Sequence, residues 1–290
     1  MTGHLRWLAP ATFLALWSAG FAFVALGLPY SEPITFLALR YAIVIAVLTP
    51  AFLVLRPPLP KARRDWVDLI VVALLLQAAY FTLLYLALDL ESSVALIVSL
   101  QPILVALLAP RVAGERVTKI RWAGLALGLI GAGVVIASRS TLGGASAAGL
   151  ACAAAAMVAL TAGTLYERTH GSEHHPVSAN AVQFAVALAV TLPAALILEG
   201  FPVEWTGDLA ISLAYLVFAN SLISITLLLM MVRRGEASRV SSLFFLVPPL
   251  AALIAWAVLG ESLPASGWLG MAVAAVGVGI ATSSSARDSS

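Results

Sequence analysis

The stretch that decides the fold is Val94–Ser138, VALIVSLQPILVALLAPRVAGERVTKIRWAGLALGLIGAGVVIAS, because the chain carries it twice. A shift of 146 residues aligns it with Val240–Ser284, VSSLFFLVPPLAALIAWAVLGESLPASGWLGMAVAAVGVGIATSS, and 16 of the 45 positions are then identical. Aliphatic identities arise easily by chance in such a composition, whereas shared proline, Gly-Glu, tryptophan and glycine positions at one offset indicate an internal repeat. The matched pairs include Pro102 with Pro248, Glu115 with Glu261, and Trp122 with Trp268.

The remainder of each half repeats more weakly, at an offset of 143 residues. This shift aligns Gly20 with Gly163, Pro33 with Pro176, and Pro50 with Pro193. We therefore predict two domains built on one duplicated unit, the first comprising residues 1–145 and the second residues 146–290.

The composition excludes a water-soluble globular protein. Of the 290 residues, 61% are hydrophobic and 10% are charged, and the mean hydropathy is +1.01. A soluble domain carries about 25% charged residues, so this chain cannot cover itself with a polar surface. Its apolar runs are continuous and about as long as the 20 residues that a helix needs to cross lipid. This pattern predicts an all-α integral membrane protein.

The apolar runs predict ten transmembrane helices joined by connectors too short to hold a soluble domain. We place them at residues 6–27, 34–55, 67–88, 93–111, 121–138, 147–167, 178–198, 208–232, 240–259 and 266–283. The first run is too long for the apolar region of a signal peptide, so we expect it to be retained as a span. The single cysteine, Cys152, excludes an intrachain disulfide.

The distribution of basic residues predicts the orientation, because short loops rich in Lys and Arg stay in the cytoplasm. With a cytoplasmic amino terminus, 14 of the 16 basic residues fall on the inside. We therefore expect an inner-membrane protein with both termini in the cytoplasm. Five spans per copy is an odd number, so the second copy must enter the membrane inverted. Inverted repeats are typical of secondary transporters with a substrate site near the midplane.

Several motifs occupy comparable places in the two copies. They are Phe81–Leu88, Ser92, Pro102, Gly114-Glu115-Arg116, Gly124 and Gly131 in the first, and Glu236-Ala237-Ser238, Pro248, Gly260-Glu261, Gly270 and Gly277 in the second. With the span count and the duplication, they make the chain resemble the drug/metabolite transporter superfamily, in its ten-span EamA branch. Within that branch it most resembles the bacterial aromatic amino-acid exporters. The resemblance implies a solute carrier that exports amino acids or related metabolites.

Proline lies inside the predicted fourth and ninth spans, at Pro102 and at Pro248-Pro249. Because proline removes a backbone hydrogen bond, it kinks a helix. The matched placement favours a pair of hinges for alternating access. Plain helix curvature is the alternative, since membrane helices tolerate proline.

Polar and aromatic residues within the spans are candidates for lining a substrate cavity. They are Trp17, Arg40, Gln77, Tyr80, Ser99, Gln101, Thr161, Thr164, Asn220, Ser224, Phe244 and Phe245. A cavity with aromatic walls and neutral amide and hydroxyl groups suits a partly apolar, zwitterionic solute. For any one of them, the alternative is an interhelical hydrogen bond or a packing contact.

Arg40 is the only charge well inside a predicted span, about 10 Å of helix from the outer loop. An arginine at the bilayer centre costs about 2.5–3.5 kcal/mol on insertion scales. It could extend outward, pair with a carboxylate such as Glu32, or attract a substrate carboxylate. Its repeat equivalent is Gln183, so the charge is not a symmetric structural requirement.

The glycines of the fifth and tenth spans are expected to let these two helices pack closely, or to form a dimer face. They are Gly124, Gly128, Gly131 and Gly133 in one span, and Gly270, Gly277 and Gly279 in the other.

No Asp or Glu falls mid-membrane in this assignment, which favours transport without a buried proton relay. We expect no catalytic residues, no metal site, no cofactor and no nucleic-acid partner. The expected partners are a small-molecule substrate and the lipid bilayer, with the chain a monomer or homodimer. Two alternatives remain: an efflux carrier for drugs or other metabolites, and a membrane enzyme or scaffold.

Overall fold

The computed structural model describes residues 5–90, 100–139, 146–171, 175–234, 237–259 and 264–283. Ten helical segments follow one another along these residues. They are α1 (Leu5–Gly27), α2 (Pro33–Leu55), α3 (Arg63–Asp89), α4 (Gln101–Val112), α5 (Lys119–Arg139), α6 (Ala147–His170), α7 (Pro176–Glu199), α8 (Gly207–Arg234), α9 (Ala237–Ser241, Ser242–Leu246 and Val247–Leu259) and α10 (Ala265–Ser283).

Eight of the described helices are long and apolar enough to cross a membrane. The two shorter apolar stretches lie in α4 and α9, at Gln101–Val112 and Ser242–Ile254. The prediction of an all-helical, multi-pass membrane protein is therefore confirmed for the described residues. Part of the predicted fourth span, residues 91–99, lies outside them.

Helices α5 and α10 approach each other at backbone distance, because glycines line the contact. A Cβ atom added to Gly124 would lie 2.6 Å from the backbone nitrogen of Ala281. A Cβ at Gly131 would overlap the backbone nitrogen of Ala274, and one at Gly277 would overlap that of Gly128. These contacts agree with the predicted close packing of the two spans.

The same contacts show that α5 and α10 run antiparallel. Gly124, early in α5, meets Ala281 near the end of α10, whereas Gly131 meets Ala274 one or two turns earlier. Helices α2 and α7 are also antiparallel neighbours, since the backbone N–H of Ile34 at the start of α2 donates to Glu199 Oε1 at the end of α7 (2.9 Å).

Three helices contain π-helical stretches, and α9 changes helix type along its length. The π stretches are Ala73–Tyr80 in α3, Ala195–Glu199 in α7 and Leu216–Ser224 in α8. In α9 the stretch Ser242–Leu246 is a 3-10 helix, and Pro248 follows immediately in the next α-helical turn. Pro102 lies in the first turn of α4. Pro248 thus lies beside a change of helix type and Pro102 at the start of a helix, and the role of the prolines as hinges stays a prediction.

Substituting Gly131 by alanine should destabilise the protein, because the new Cβ overlaps backbone rather than a mobile side chain. Forced overpacking costs about 1–3 kcal/mol, which exceeds the gain of about 1 kcal/mol from replacing a helical glycine with alanine. The measurement is the thermal unfolding midpoint of the purified protein in detergent.

The matched control is Gly133→Ala on the same helix, where an added Cβ has no neighbour within 4 Å among the described residues. This variant should unfold at or above the wild-type temperature. An equal loss of stability in both variants would contradict the role given to the α5–α10 contact.

Candidate functional site

A narrow cleft lies between α1, α2, α3 and α8, and its walls combine one cation with aromatic and apolar side chains. The cavity among these side chains is about 20 Å³, which is room for about one water molecule. Its lining includes Trp17 and Phe21 from α1, Arg40 from α2, Tyr80, Phe81 and Tyr85 from α3, and Leu216 and Asn220 from α8. Ligand pockets begin at about 300 Å³, so the cleft is closed in this structure and must open before it can hold a solute of amino-acid size.

Arg40 is the charged group of the cleft, and only 1% of its surface is exposed. Its Nε donates to Ser221 Oγ at 2.8 Å. The two terminal nitrogens donate to the hydroxyl of Tyr85 at 2.8 Å and to Asn220 Oδ1 at 2.7 Å. The considered pairing with Glu32 is absent, because every nitrogen of Arg40 bonds to a neutral acceptor.

One aromatic ring lies against the guanidinium, and other rings form the rest of the wall. The Phe81 ring lies under Arg40, with its centroid 4.6 Å from Cζ, a distance at which cation–π attraction operates. Trp17 stacks on Tyr80 with ring centroids 6.3 Å apart and an angle of 14° between the planes. Phe244 packs edge-on against Trp17 at 5.5 Å. A solute that entered a widened cleft would therefore meet aromatic rings beside the one positive charge.

Two consecutive residues of α8 bond to Arg40 from within a π-helical stretch. In a regular helix, adjacent side chains do not face each other. Asn220 and Ser221 both accept hydrogen bonds from Arg40, and both lie within the π stretch Leu216–Ser224. Such stretches occur frequently at functional sites.

Four predicted site residues meet in the cleft, and one more packs behind it. Trp17, Arg40, Tyr80 and Asn220 line the space, and Phe244 supports Trp17 from the side.

The hydroxyl-bearing candidates lie elsewhere and are satisfied by backbone carbonyls. Thr161 and Thr164 donate within their own helix, to the carbonyls of Met157 and Leu160. Ser224 Oγ donates across to the carbonyl of Phe13 on α1 at 3.4 Å. These three residues have structural hydrogen bonds rather than positions on the cleft wall.

The remaining candidates are also away from the cleft. Gln101 Nε2 donates to Ser241 Oγ at 3.3 Å, linking α4 to α9. Phe245 packs against Gly128 at the α5–α10 contact. Gln77 is fully buried with no hydrogen-bond partner for its side-chain amide among the described residues. Ser99 lies outside the described residues.

Sequence reasoning missed Phe81, Tyr85 and Ser221, which complete the surroundings of Arg40. It also missed Gly20, where an added Cβ would lie 2.7 Å from Asn220 Nδ2. The sequence held a signal for Phe81 and Tyr85. A buried arginine needs acceptors, and these two aromatic residues lie four positions apart in an aromatic-rich stretch of one helix.

A second polar cluster, the Glu115 clasp, joins the α4–α5 connector to the start of α9. Glu115 Oε1 accepts the backbone N–H of Ala237 at 2.6 Å, and Oε2 accepts the hydroxyl of Ser238 at 2.7 Å. Arg121 NH1 donates to the Ser238 hydroxyl at 3.1 Å, and Arg168 Nε lies 3.5 Å from Glu115 Oε1. A carboxylate at a helix start satisfies free N–H groups and complements the helix dipole.

Two larger grooves lie away from the cleft. One, of about 350 Å³, lies between the start of α7 and the end of α8, with His175, Asn180 and Arg233 among its lining residues. Arg233 already forms an ion pair with Glu167, which neutralises it. The other, of about 390 Å³, has almost wholly apolar walls from α2, α7 and the α2–α3 connector. Neither combines an unneutralised charge with an aromatic wall.

Comparison with protein families matches the two halves of the chain separately. The profile of the EamA-like transporter family matches residues 7–137 and again residues 147–283. The chain belongs to the EamA-like transporter family. It is therefore a transporter of the drug/metabolite transporter superfamily and a multi-pass membrane protein, as the motifs of both copies predicted.

Relatives of this EamA-family chain agree with that assignment. The uncharacterized transporter YvbV of Bacillus subtilis (strain 168) is 27% identical over 262 residues, which cover 88% of this chain and 84% of YvbV. A solved crystal structure of another protein superposes with a TM-score of 0.81 over 98% of both chains at 22% identity. That likeness concerns the fold alone.

Removing the Tyr85 hydroxyl should destabilise the EamA-family fold, because a buried guanidinium nitrogen would lose its acceptor. A hydrogen bond to a charged group contributes about 1.5–3 kcal/mol, so Tyr85→Phe should lower the thermal unfolding midpoint in detergent.

Tyr80→Phe is the matched control, since the Tyr80 hydroxyl is buried without a hydrogen-bond partner among the described residues. It should unfold at the wild-type temperature or above. Equal midpoints for Tyr85→Phe and wild type would mean that Tyr85 does not stabilise Arg40.

Proposed function

We propose that this EamA-family protein exports amino acids, including aromatic or other partly apolar ones, or related metabolites by alternating access. The observation that carries the proposal is Arg40, which is buried among neutral acceptors and opens onto an aromatic cleft. A buried charge is usually paired with an opposite one, and no carboxylate among the described residues pairs with Arg40, so the position of its counter-ion is open to a ligand. The cleft uses α1–α3 from the first half and α8 from the second, which suits a site between two moving halves.

We further propose ten spans arranged as two inverted repeats, residues 1–145 and 146–290, in the inner membrane with cytoplasmic termini. The double match to the family profile supports two units. The antiparallel contact of α5 with α10 and of α2 with α7 joins equivalent helices, as an axis in the membrane plane requires. The π stretches at 73–80 and 216–224 are also related by the repeat offset.

Alternating access requires the pathway to close at one end while it opens at the other. The Glu115 clasp lies at the end of the helices that carries most basic residues, which the charge rule assigns to the cytoplasm. It links α5, α6 and α9 through charge-assisted bonds. In the proposed cycle the clasp holds the cytoplasmic end closed and separates when that end opens. Pro102, Pro248 and Pro249 then serve as the hinges of α4 and α9.

Counterflow into liposomes tests the transport function. Purified protein is reconstituted in vesicles loaded with unlabelled phenylalanine or leucine, and uptake of the labelled compound is measured against protein-free vesicles. Wild type should accumulate label. The initial rate of Arg40→Gln should be lower by at least about tenfold, because a hydrogen-bonded charge pair contributes more than the roughly 1.4 kcal/mol that a tenfold change represents.

The control replaces another arginine in the same way. Arg64 is largely exposed and forms only a long contact with Asp68, so Arg64→Gln should keep the wild-type rate. An absence of counterflow with a panel of amino acids and related metabolites, for a folded and correctly inserted wild type, would refute the proposed function.

The substitution Glu115→Gln should make the cytoplasmic end of the protein open more often. In a Cys152→Ser background, Ser241→Cys places a thiol at a fully buried position next to the clasp. Adding Glu115→Gln should speed its labelling by a membrane-impermeant maleimide severalfold in solubilised protein, because the charged acceptor at the start of α9 is lost.

Glu204→Gln in the same background is the control, since Glu204 is exposed and lies between α7 and α8, away from the clasp. It should leave the labelling rate unchanged. Identical labelling rates in the Glu115→Gln and Glu204→Gln proteins would exclude the clasp as a gate.

A further inference from the structure

The charge balance of the cleft narrows the substrate class. Among the described residues, the cleft wall contains one cation and no carboxylate. Two carboxylates at the ends of α7 and α8 bond to other groups: Glu199 accepts from Thr35 at 2.7 Å, and Asp208 accepts from Tyr30 at 3.2 Å. The described residues of the cleft wall therefore carry a net charge of +1 before a ligand binds.

We infer that the substrate binds as a net monoanion, a carboxylate on a partly apolar body whose amine is absent or masked. This inference rests on the proposed transport function and specifies its substrate. In a low-dielectric site an unpaired charge is costly. A monocarboxylate brings the cleft to neutrality, whereas a zwitterionic amino acid leaves the net charge at +1 and adds an ammonium group without an anionic partner.

The acceptors of Arg40 support the same assignment. Ser221, Tyr85 and Asn220 each occupy one nitrogen of the guanidinium. A guanidinium has five N–H donors, so these three bonds leave two N–H groups for a ligand. Paired N–H donors match the two oxygens of a carboxylate. The neutral acceptors thus orient Arg40 without cancelling its charge.

The aromatic wall identifies the rest of the ligand. Phe81 presents its ring to the guanidinium, Trp17 and Tyr80 pack against Phe81, and Leu216 and Val24 are apolar. An ammonium could rest on a ring face through cation–π attraction. Phe81 already holds Arg40 in this way at 4.6 Å, so a second cation beside it would be repelled. The ring faces are better suited to a phenyl or branched aliphatic group.

A set of ligands that share one carbon frame tests the inference. Hydrocinnamate is phenylalanine without its ammonium group, phenethylamine is phenylalanine without its carboxylate, and hydrocinnamamide is the uncharged analogue of hydrocinnamate. Dissociation constants for all four are measured at neutral pH by calorimetry on the purified full-length protein, and each compound is then tested as a competitor in counterflow.

Hydrocinnamate should bind at least tenfold more tightly than phenylalanine, and hydrocinnamamide and phenethylamine at least tenfold more weakly than hydrocinnamate. Arg40→Gln carries the residue type found at the repeat-equivalent position 183. In this variant the affinity for hydrocinnamate should fall at least tenfold, so that hydrocinnamate binds no more tightly than its amide. Arg40→Lys keeps the charge but not the paired donors, so its affinity for hydrocinnamate should lie between those of wild type and Arg40→Gln.

Phenylalanine binding as tightly as hydrocinnamate, or more tightly, would overturn the inference while leaving amino-acid transport intact. Binding of none of the four compounds would also overturn it. A preference for hydrocinnamate over its amide that persists in Arg40→Gln would assign the anion site to another residue and overturn the role of Arg40. The order of the four dissociation constants on the wild-type protein tests the inference even if an Arg40 variant fails to fold. Counterflow of metabolites that lack a carboxylate would preserve the transport function but reject this substrate class.

Discussion

Arg40 remains inside the bundle because the protein, rather than water, solvates its charge. Each guanidinium nitrogen bonds to a neutral oxygen, and an aromatic ring lies against its face. These partners come from α3 and α8, so the arginine ties three helices together. A buried charge with an ionic partner is structurally complete, whereas one solvated only by dipoles still attracts an anion. The cleft, its narrow width and its expected ligand all depend on that incomplete compensation.

Lipid imposes a second constraint, which bears on the two π-helical stretches that border the cleft. Backbone groups inside a bilayer must be satisfied within the protein, so the chain cannot use loops to re-aim side chains at that depth. A π-helical stretch re-aims them while keeping the helix hydrogen-bonded. In α8 it brings Asn220 and Ser221 onto one guanidinium, and in α3 it ends at Tyr80 on the cleft wall.

The close contact of α5 and α10 has a different basis from the cleft. Association of helices in lipid depends on packing rather than on release of water, and glycine allows two backbones to touch. The aligned glycines at 124, 131, 270 and 277 all lie at this contact, whereas Gly133 and Gly279 have open space beyond them. The proposed site lies in the other part of the bundle, where side chains rather than backbones meet.

The sequence alone determined the membrane class, the positions of the eight long apolar helices, the family and the glycine face, because composition, periodicity and spacing are local properties. It predicted the duplication. It also singled out Arg40, since a charge within an apolar run is visible without a structure. The tertiary structure decided which candidates gather around it: Asn220 and Ser221 lie 180 and 181 residues away in sequence. It likewise decided that Glu115 holds the start of α9, 122 residues further along the chain. Such contacts depend on how the helices pack against one another, and helix packing is set by the whole surface of each helix rather than by any single stretch.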